Sequence, residues 1–237
     1  MAPAAPLTRL LRQSHAKHGK NHQVDVASRM LCGGMPMDFF FDYPSPYAYL
    51  AGTQLANLGV AVRYEPIGIV EVMKRVNNQP SPACPPKARY SGIDAARWAH
   101  HYGVPFEINQ AFVTALGTGM FDYQILTRGA LVAQELDVFA RYNAAMFAAI
   151  WGRPQDIVTE EGRETFLKRL GIDASHFWRR AESPDLHAEL QRRNEIAARR
   201  GVFGVPTFFV DNEMFFGNDR LDFVRERLAA HSQDIPA

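Results

Sequence analysis

Cysteine is nearly missing from this chain: its 237 residues include only Cys32 and Cys84. The two stand far apart and in no metal-ligand spacing. A disulfide framework, a zinc site and a Cys-x-x-Cys redox pair are therefore all excluded, and a reducing compartment is the natural home. An excess of one charge is missing too. The 26 Lys and Arg against 25 Asp and Glu leave a formal net charge of +1, which gives no global drive toward nucleic acid or a membrane surface. No apolar run approaches the roughly 18 residues of a membrane span. No internal repeat or low-complexity tract follows residue 36.

Acid is scarce in residues 1–36, where Asp25 stands alone among Ala, Pro, Ser, Arg, Lys and His. The apolar stretch of a secretory signal is absent there as well. This segment reads as a disordered or transit-like N-terminal extension, with the folded protein opening near Met37. The expected location is cytoplasmic, or mitochondrial if residues 1–36 are a transit peptide. His15, His18 and His22 read as part of a polar tail, and no metal site is expected.

The whole chain is 47% hydrophobic and 22% charged, enough for one sizeable core or a core with an inserted subdomain. Met37–Asp42 reads as a strand buried on both faces, because Phe39, Phe40 and Phe41 leave it no polar side. The spacing of Tyr47, Leu50, Ala51, Leu55 and Leu58 predicts a helix over Tyr47–Leu58, with Gly59 as its C′ glycine. Val60–Ile67 alternates as a second strand. Candidate helices follow at Lys87–Tyr102, Tyr123–Leu136, Val138–Ile150, Glu161–Leu170, Ser175–Glu182 and Pro184–Arg200, and Arg192, Arg193, Arg199 and Arg200 read as a solvated helix face. Thr207–Val210 and Glu213–Phe216 flank an Asp211-Asn212 hairpin turn, and Arg220–Ala229 closes the chain. The order βαβ, helical block, ββα predicts an α/β protein with a thioredoxin-like fold and a large all-helical insertion. Its expected parts are residues 37–75 with 201–232 as the thioredoxin-like domain, and 76–200 as the inserted helical domain.

Three short motifs could carry chemistry. Ser45-Pro46 follows the aromatic strand at the helix start that redox members of this fold give to Cys-x-x-Cys. Here the four positions read Ser45-Pro46-Tyr47-Ala48. Ser and Pro are also an ordinary N-cap and N1 pair. In the sharper reading the cap oxygen accepts a backbone N–H, its own hydrogen stays free to donate, and the helix start favours an anion such as a thiolate. In the second motif, Phe203-Gly204-Val205-Pro206-Thr207, a proline enters a strand. A cis Val205–Pro206 bond would leave the Val205 N–H and C=O open to an extended ligand. The third, Gly217-Asn218-Asp219-Arg220, is either a plain helix cap or a seat for a zwitterionic amino-acid head.

Phe-x-Asp-x-x-Ser-Pro-Tyr-x-Tyr-Leu is followed in order by Lys87-Ala88-Arg89-Tyr90, Asp94, Arg97-Trp98-Ala99, Tyr102-Gly103-Val104-Pro105, Trp151, Phe203-Gly204-Val205-Pro206-Thr207 and Gly217-Asn218-Asp219-Arg220-Leu221. Over residues 37–230 this resembles the 2-hydroxychromene-2-carboxylate isomerases, relatives of the kappa-class glutathione transferases in the DsbA-like thioredoxin superfamily. The resemblance implies glutathione as cofactor, a small aromatic carboxylate as substrate, and a homodimer. It implies Ser45 as the catalytic serine on the glutathione sulfur, with Asn78, Lys87, Val205, Asn218 and Asp219 as further glutathione contacts. Lys87 and Tyr47 would meet the substrate. Asn78 stands in a Gly-Asn-x-Pro-Pro pattern in which Asn77 replaces the Gly and Ser81 interrupts the prolines. The stretch Asn109–Phe121 departs furthest from the family and is expected at the substrate mouth. The competing expectations are a kappa-type transferase or peroxidase that consumes glutathione, and a non-catalytic thioredoxin-fold module that holds a peptide beside Val205–Pro206. A disulfide oxidoreductase is disfavoured because Ser45 and Ala48 fill both thiol positions.

Overall fold

Met37–Phe41 forms β1, and each of its five residues is buried. Side chains alternate across a strand, so the aromatic run feeds two cores at once. Phe39 and Phe41 stack on each other at 5.5 Å, and Phe39 stacks on Phe208 at 5.3 Å. Phe40 points to the opposite face, edge-on to Phe209 with Ile67, Val72, Ala197, Val202 and Val205. Burying each such ring contributes roughly 1.5–3 kcal/mol, so a strand with a phenylalanine on either face is held from both sides.

The computed structural model of the protein describes residues 36–233. The expectations for residues 1–35, with Cys32 and the three N-terminal histidines, lie outside the described residues. The sheet order is β2-β1-β3-β4, with β2 at Val62–Pro66, β3 at Thr207–Val210 and β4 at Glu213–Phe216. β1 runs parallel to β2 and antiparallel to β3, and β3 and β4 form the hairpin expected around Asp211-Asn212, with Asp211 at φ 56.

Helix α1 covers Pro46–Gly52 and α2 covers Ile69–Arg75. Then follow α3 at Pro85–Tyr102, α4 at Gln110–Thr118, α5 at Gln124–Glu135, α6 at Phe139–Trp151, α7 at Glu160–Arg169, α8 at Ala174–Ala181 and α9 at Pro184–Arg199. After the hairpin, α10 covers Leu221–Gln233. This is a thioredoxin-like fold of the DsbA type, a mixed four-stranded sheet with a long helical insertion.

Three elements differ from expectation. The helix foreseen over Tyr47–Leu58 stops at Gly52, where the Thr53 hydroxyl donates to the Leu50 carbonyl at 2.6 Å. A 3-10 turn at Leu55–Leu58 then leads to Gly59 at φ 69. Both segments bury the same apolar face, which is why periodicity reads them as one. Helix α2 has no counterpart in the sequence reading. The Asn109–Phe121 stretch holds α4, whose start is capped by the Asn109 side chain accepting from Phe112 N. Of the arginines read as a solvated face, Arg193 bonds Glu65 and Glu189. Arg200 bonds Asp38 and lies 4.0 Å from the centre of the Phe209 ring.

Candidate functional site

The β1–α1 turn is fixed before it does any chemistry. Asp42 follows β1 with its carboxylate fully buried, accepting from Tyr43 N at 2.9 Å, Ile69 N at 2.9 Å and the Thr127 hydroxyl at 2.7 Å. It therefore joins the turn to the start of α2 and to α5. Burial pushes its pKa up to about 7, against the pull of those three donors. Trp151 Nε1 donates to the Tyr43 carbonyl at 2.8 Å, and the Tyr49 hydroxyl donates to the Pro105 carbonyl at 2.6 Å. Trp151 thus braces this turn, and Pro105 anchors the helix that follows it.

Ser45 is the N-cap of α1. Its Oγ accepts from Ala48 N at 3.1 Å and donates to the Val205 carbonyl at 3.2 Å. Val205–Pro206 is cis. Ser45 and Val205 are thus brought together across 160 residues, but the arrangement departs from expectation in one respect. The Ser45 hydrogen and the Val205 carbonyl were expected free, and instead they satisfy each other. A buried or half-buried carbonyl recruits the nearest donor, and here that donor is the serine.

The Phe203–Pro206 segment is gripped from two further sides. Asn78 Nδ2 donates to the Phe203 carbonyl at 2.8 Å. Its own loop is set by Asn77 at φ 56, a left-handed conformation that asparagine tolerates in place of the family glycine. Beneath Gly204, any Cβ would lie 2.5 Å from Cε2 of Phe216, so a larger residue there would have to displace that ring. Gly217 N then donates to the Pro206 carbonyl at 3.0 Å, which attaches the third motif to the second. Hydrogen bonds from Ser45, Asn78 and Gly217 to this one segment draw the expected site together.

The remaining expected residues are placed less uniformly. Asn218 is buried and turned inward: its carbonyl accepts from the Tyr102 hydroxyl at 2.9 Å, and its Nδ2 lies 3.4 Å from that oxygen. The Asp219 carboxylate is exposed and pairs with Arg220 at 2.7 Å. Lys87 is exposed on the first turn of α3. The Tyr47 hydroxyl donates to Asp94 Oδ2 at 3.0 Å. Burial, reinforced by that bond, pushes the Tyr47 phenol up to about 12, so it stays protonated at neutral pH and cannot serve as a base. A cleft of about 320 Å³ between α3 and α10 is lined by Asn218 and Asp219 with Trp98, His101, Tyr102 and Arg225. Ser45, Asn78, Lys87 and Val205 do not line it, so hydrogen-bond geometry and not cavity size marks the site. Cys84 is a free, half-buried cysteine at the N-cap of α3. Among the described residues no His, Cys, Asp and Glu cluster could hold a metal ion, and no helix is long and apolar enough to cross a membrane.

Sequence reasoning quoted Asp42, Tyr90 and Asp94 without giving them a role. The available signal for Asp42 was a carboxylate at the end of a strand with no polar face. For Tyr90 and Asp94 it was their spacing of four on one helix.

A serine at the first helix of a thioredoxin-like fold, bonded to the residue before a cis-proline, defines a class: thioredoxin-fold proteins that present a hydroxyl where redox members present a thiol. Residues 37–229 match the family model of the DSBA-like thioredoxin domain. A relative from Sphingobium xenophagum named 2-hydroxychromene-2-carboxylate isomerase is 33% identical over 81% of this chain and 97% of its own. A solved structure of a 2-hydroxychromene-2-carboxylate isomerase superposes with a TM-score of 0.73 at 28% identity, covering 86% of this chain and all of that one. A protein from Caenorhabditis elegans named glutathione S-transferase kappa 1 is 26% identical over 84% of this chain and 93% of its own. The chain belongs to the DSBA-like thioredoxin domain family and, within it, to the enzyme family of the 2-hydroxychromene-2-carboxylate isomerases.

Proposed function

We propose that this enzyme is glutathione-dependent and interconverts 2-hydroxychromene-2-carboxylate and trans-o-hydroxybenzylidenepyruvate. The observation that carries the reading is the Ser45–Val205 hydrogen bond at 3.2 Å. It has the fit of a seat for a cysteinyl unit, because it pairs one donor with one acceptor that a thiol-bearing peptide can both replace. The Ser45 hydroxyl, turned from the carbonyl, can donate to a sulfur. The released Val205 carbonyl can accept an amide N–H, so neither group loses a partner on binding. Asn78 would hold the Phe203–Val205 backbone in place. Asp219 and the main chain at Asn218 would receive the amino-acid head, since the Asn218 side chain is committed to Tyr102. Lys87, with no hydrogen bond or ion pair among the described residues, would take the substrate carboxylate.

Bound glutathione would supply a thiolate for reversible addition to a conjugated double bond. The chain's part is to raise the thiolate fraction of a thiol whose pKa, like that of free cysteine, is about 8.5. Helix α1 is only seven residues long, so its dipole helps less than a full helix would and the Ser45 hydroxyl carries more of the effect. The reading includes a homodimer in a reducing, cytoplasmic setting, with the oligomer tested by light scattering.

Stoichiometry tests the reaction. With glutathione at a small fraction of the substrate, the isomerase converts all of the substrate and free thiol does not fall. A kappa-type transferase, favoured by the Caenorhabditis relative, stops when glutathione is spent. A peptide-holding module shows no turnover at any ratio.

A further inference from the structure

Helix α3 carries a stripe that the reading above uses only at one end. Lys87, Tyr90 and Asp94 are spaced i, i+3 and i+7, which places them on one side of the helix. The two oxygens of Asp94 take one tyrosine each. Oδ2 accepts from the Tyr47 hydroxyl at 3.0 Å and Oδ1 from the Tyr90 hydroxyl at 3.3 Å. Tyr47 lies two residues after Ser45, on the first turn of α1. The Tyr47–Asp94 bond therefore lays the α3 stripe alongside the Ser45 turn.

Tyr90 is 59% exposed and meets no other aromatic ring among the described residues. An exposed tyrosine ring offers a large amphipathic surface for a ligand to pack on. Its hydroxyl is tethered to Asp94, so few rotamers remain, and a ring held in advance loses little entropy when something packs on it. One helical turn before it stands Lys87, which has no hydrogen bond or ion pair among the described residues, about 4.5 Å away along the axis. A fixed ring beside a free ammonium suits a ligand that is itself a ring bearing a carboxylate.

We infer that Tyr90 is a substrate contact whose ring packs against the aromatic ring of the carboxylate substrate, and that Asp94 is the positioning residue that orients it through the shared hydrogen bonds. The identity of that substrate rests on the isomerase reading, while the ring-plus-carboxylate chemistry rests on the α3 stripe.

The test uses the full chain and an unreactive probe, 2H-chromene-2-carboxylate, which lacks the hydroxyl that ring opening requires. In calorimetric titrations with glutathione present, Tyr90→Ala weakens the probe roughly tenfold, the size of one aromatic contact, while the affinity for glutathione alone changes less than twofold. Tyr90→Phe, which keeps the ring, lies nearer to wild type than Tyr90→Ala. Asp94→Ala weakens the probe in the same direction, and the total loss in the double variant is smaller than the sum of the two single losses, because Asp94 acts through Tyr90. In turnover, Tyr90→Ala raises KM for the chromene by a larger factor than it lowers kcat. Equal probe affinity in wild type and Tyr90→Ala overturns the contact, as does a parallel loss of glutathione affinity or a wild type that does not bind the probe. Tyr90-dependent probe binding by a wild type that fails to isomerise with catalytic glutathione supports the contact and overturns the isomerase reading instead.

Discussion

Ser45 has one hydrogen and two claimants for it. In the structure the hydrogen goes to Val205, and in the proposed complex it goes to sulfur. Its oxygen meanwhile caps Ala48 N in both. Ser45→Ala therefore removes two different things. Loss of the cap costs about 1 kcal/mol of stability. Loss of the donor removes a charge-assisted hydrogen bond of roughly 1.5–3 kcal/mol, which raises the pKa of bound glutathione by about one to two units. The ultraviolet absorbance of the thiolate, followed against pH in the complex, reads the second effect apart from the first. A titration that coincides in wild type and Ser45→Ala, with glutathione bound to both, would remove the serine from the mechanism. Tyr47, two residues on, was expected to touch substrate, and its hydroxyl donates to Asp94. That partner stands 47 positions away, so no local pattern could announce it.

At the scale of elements, helix ends were read less well than helix interiors. The spacing of Leu50, Ala51 and Leu55 marks a buried stripe correctly, yet the helix breaks within it because Thr53 caps the preceding turn with its own hydroxyl. The long helices were legible because their apolar faces are. Their docking was not, since it runs through single polar contacts such as Arg128. This residue of α5 is 2% exposed, donating from Nε to the Ala181 carbonyl at the end of α8 and from Nη2 to Asp122, both at 2.7 Å. It is the donor that closes α8 onto α5. Arg128→Met keeps most of the volume but leaves the Ala181 carbonyl without that donor. We expect a loss of about 1–3 kcal/mol, read from the urea midpoint. Stability equal to wild type would show that α8 is held by its apolar face alone.

For the whole molecule, Asp42 couples the sheet to the helical insertion and makes stability depend on pH. Its folded pKa of about 7 lies above the ordinary value of 3.8, so the fold favours the neutral acid. The sign follows from proton binding. Below pH about 4 the carboxyl is neutral in both states and its contribution is fully present. As pH rises toward 7 the unfolded chain ionises first, and that contribution is lost. The expected loss is on the order of 2–4 kcal/mol. Asp42→Asn, neutral at every pH, lacks this slope. The stability of wild type relative to the variant should therefore fall between pH 4 and 7 in urea titrations, and a constant difference across that range would show that the three donors keep Asp42 ionised in the fold.

What the sequence determined by itself is whatever a side chain decides locally or through a repeating pattern. A run of three phenylalanines bounded by a Pro-rich turn reads as a strand buried on both sides, a Ser-Pro pair starts a helix, and the order of strands and helices admits few topologies. Those constraints were enough for the fold and for setting Ser45 beside Val205, while Asn78 entered only through the family resemblance. Only the tertiary structure decided which partner each polar group took: Val205 for the Ser45 hydrogen, Tyr102 for the Asn218 side chain, Asp94 for two tyrosines, and Ile69 and Thr127 for Asp42. Hydrophobic burial is non-directional and accumulates over many residues, so it leaves a periodic trace in the sequence. A hydrogen bond is satisfied by one atom at one distance, and that atom can lie anywhere in the chain that folding brings within about 3 Å.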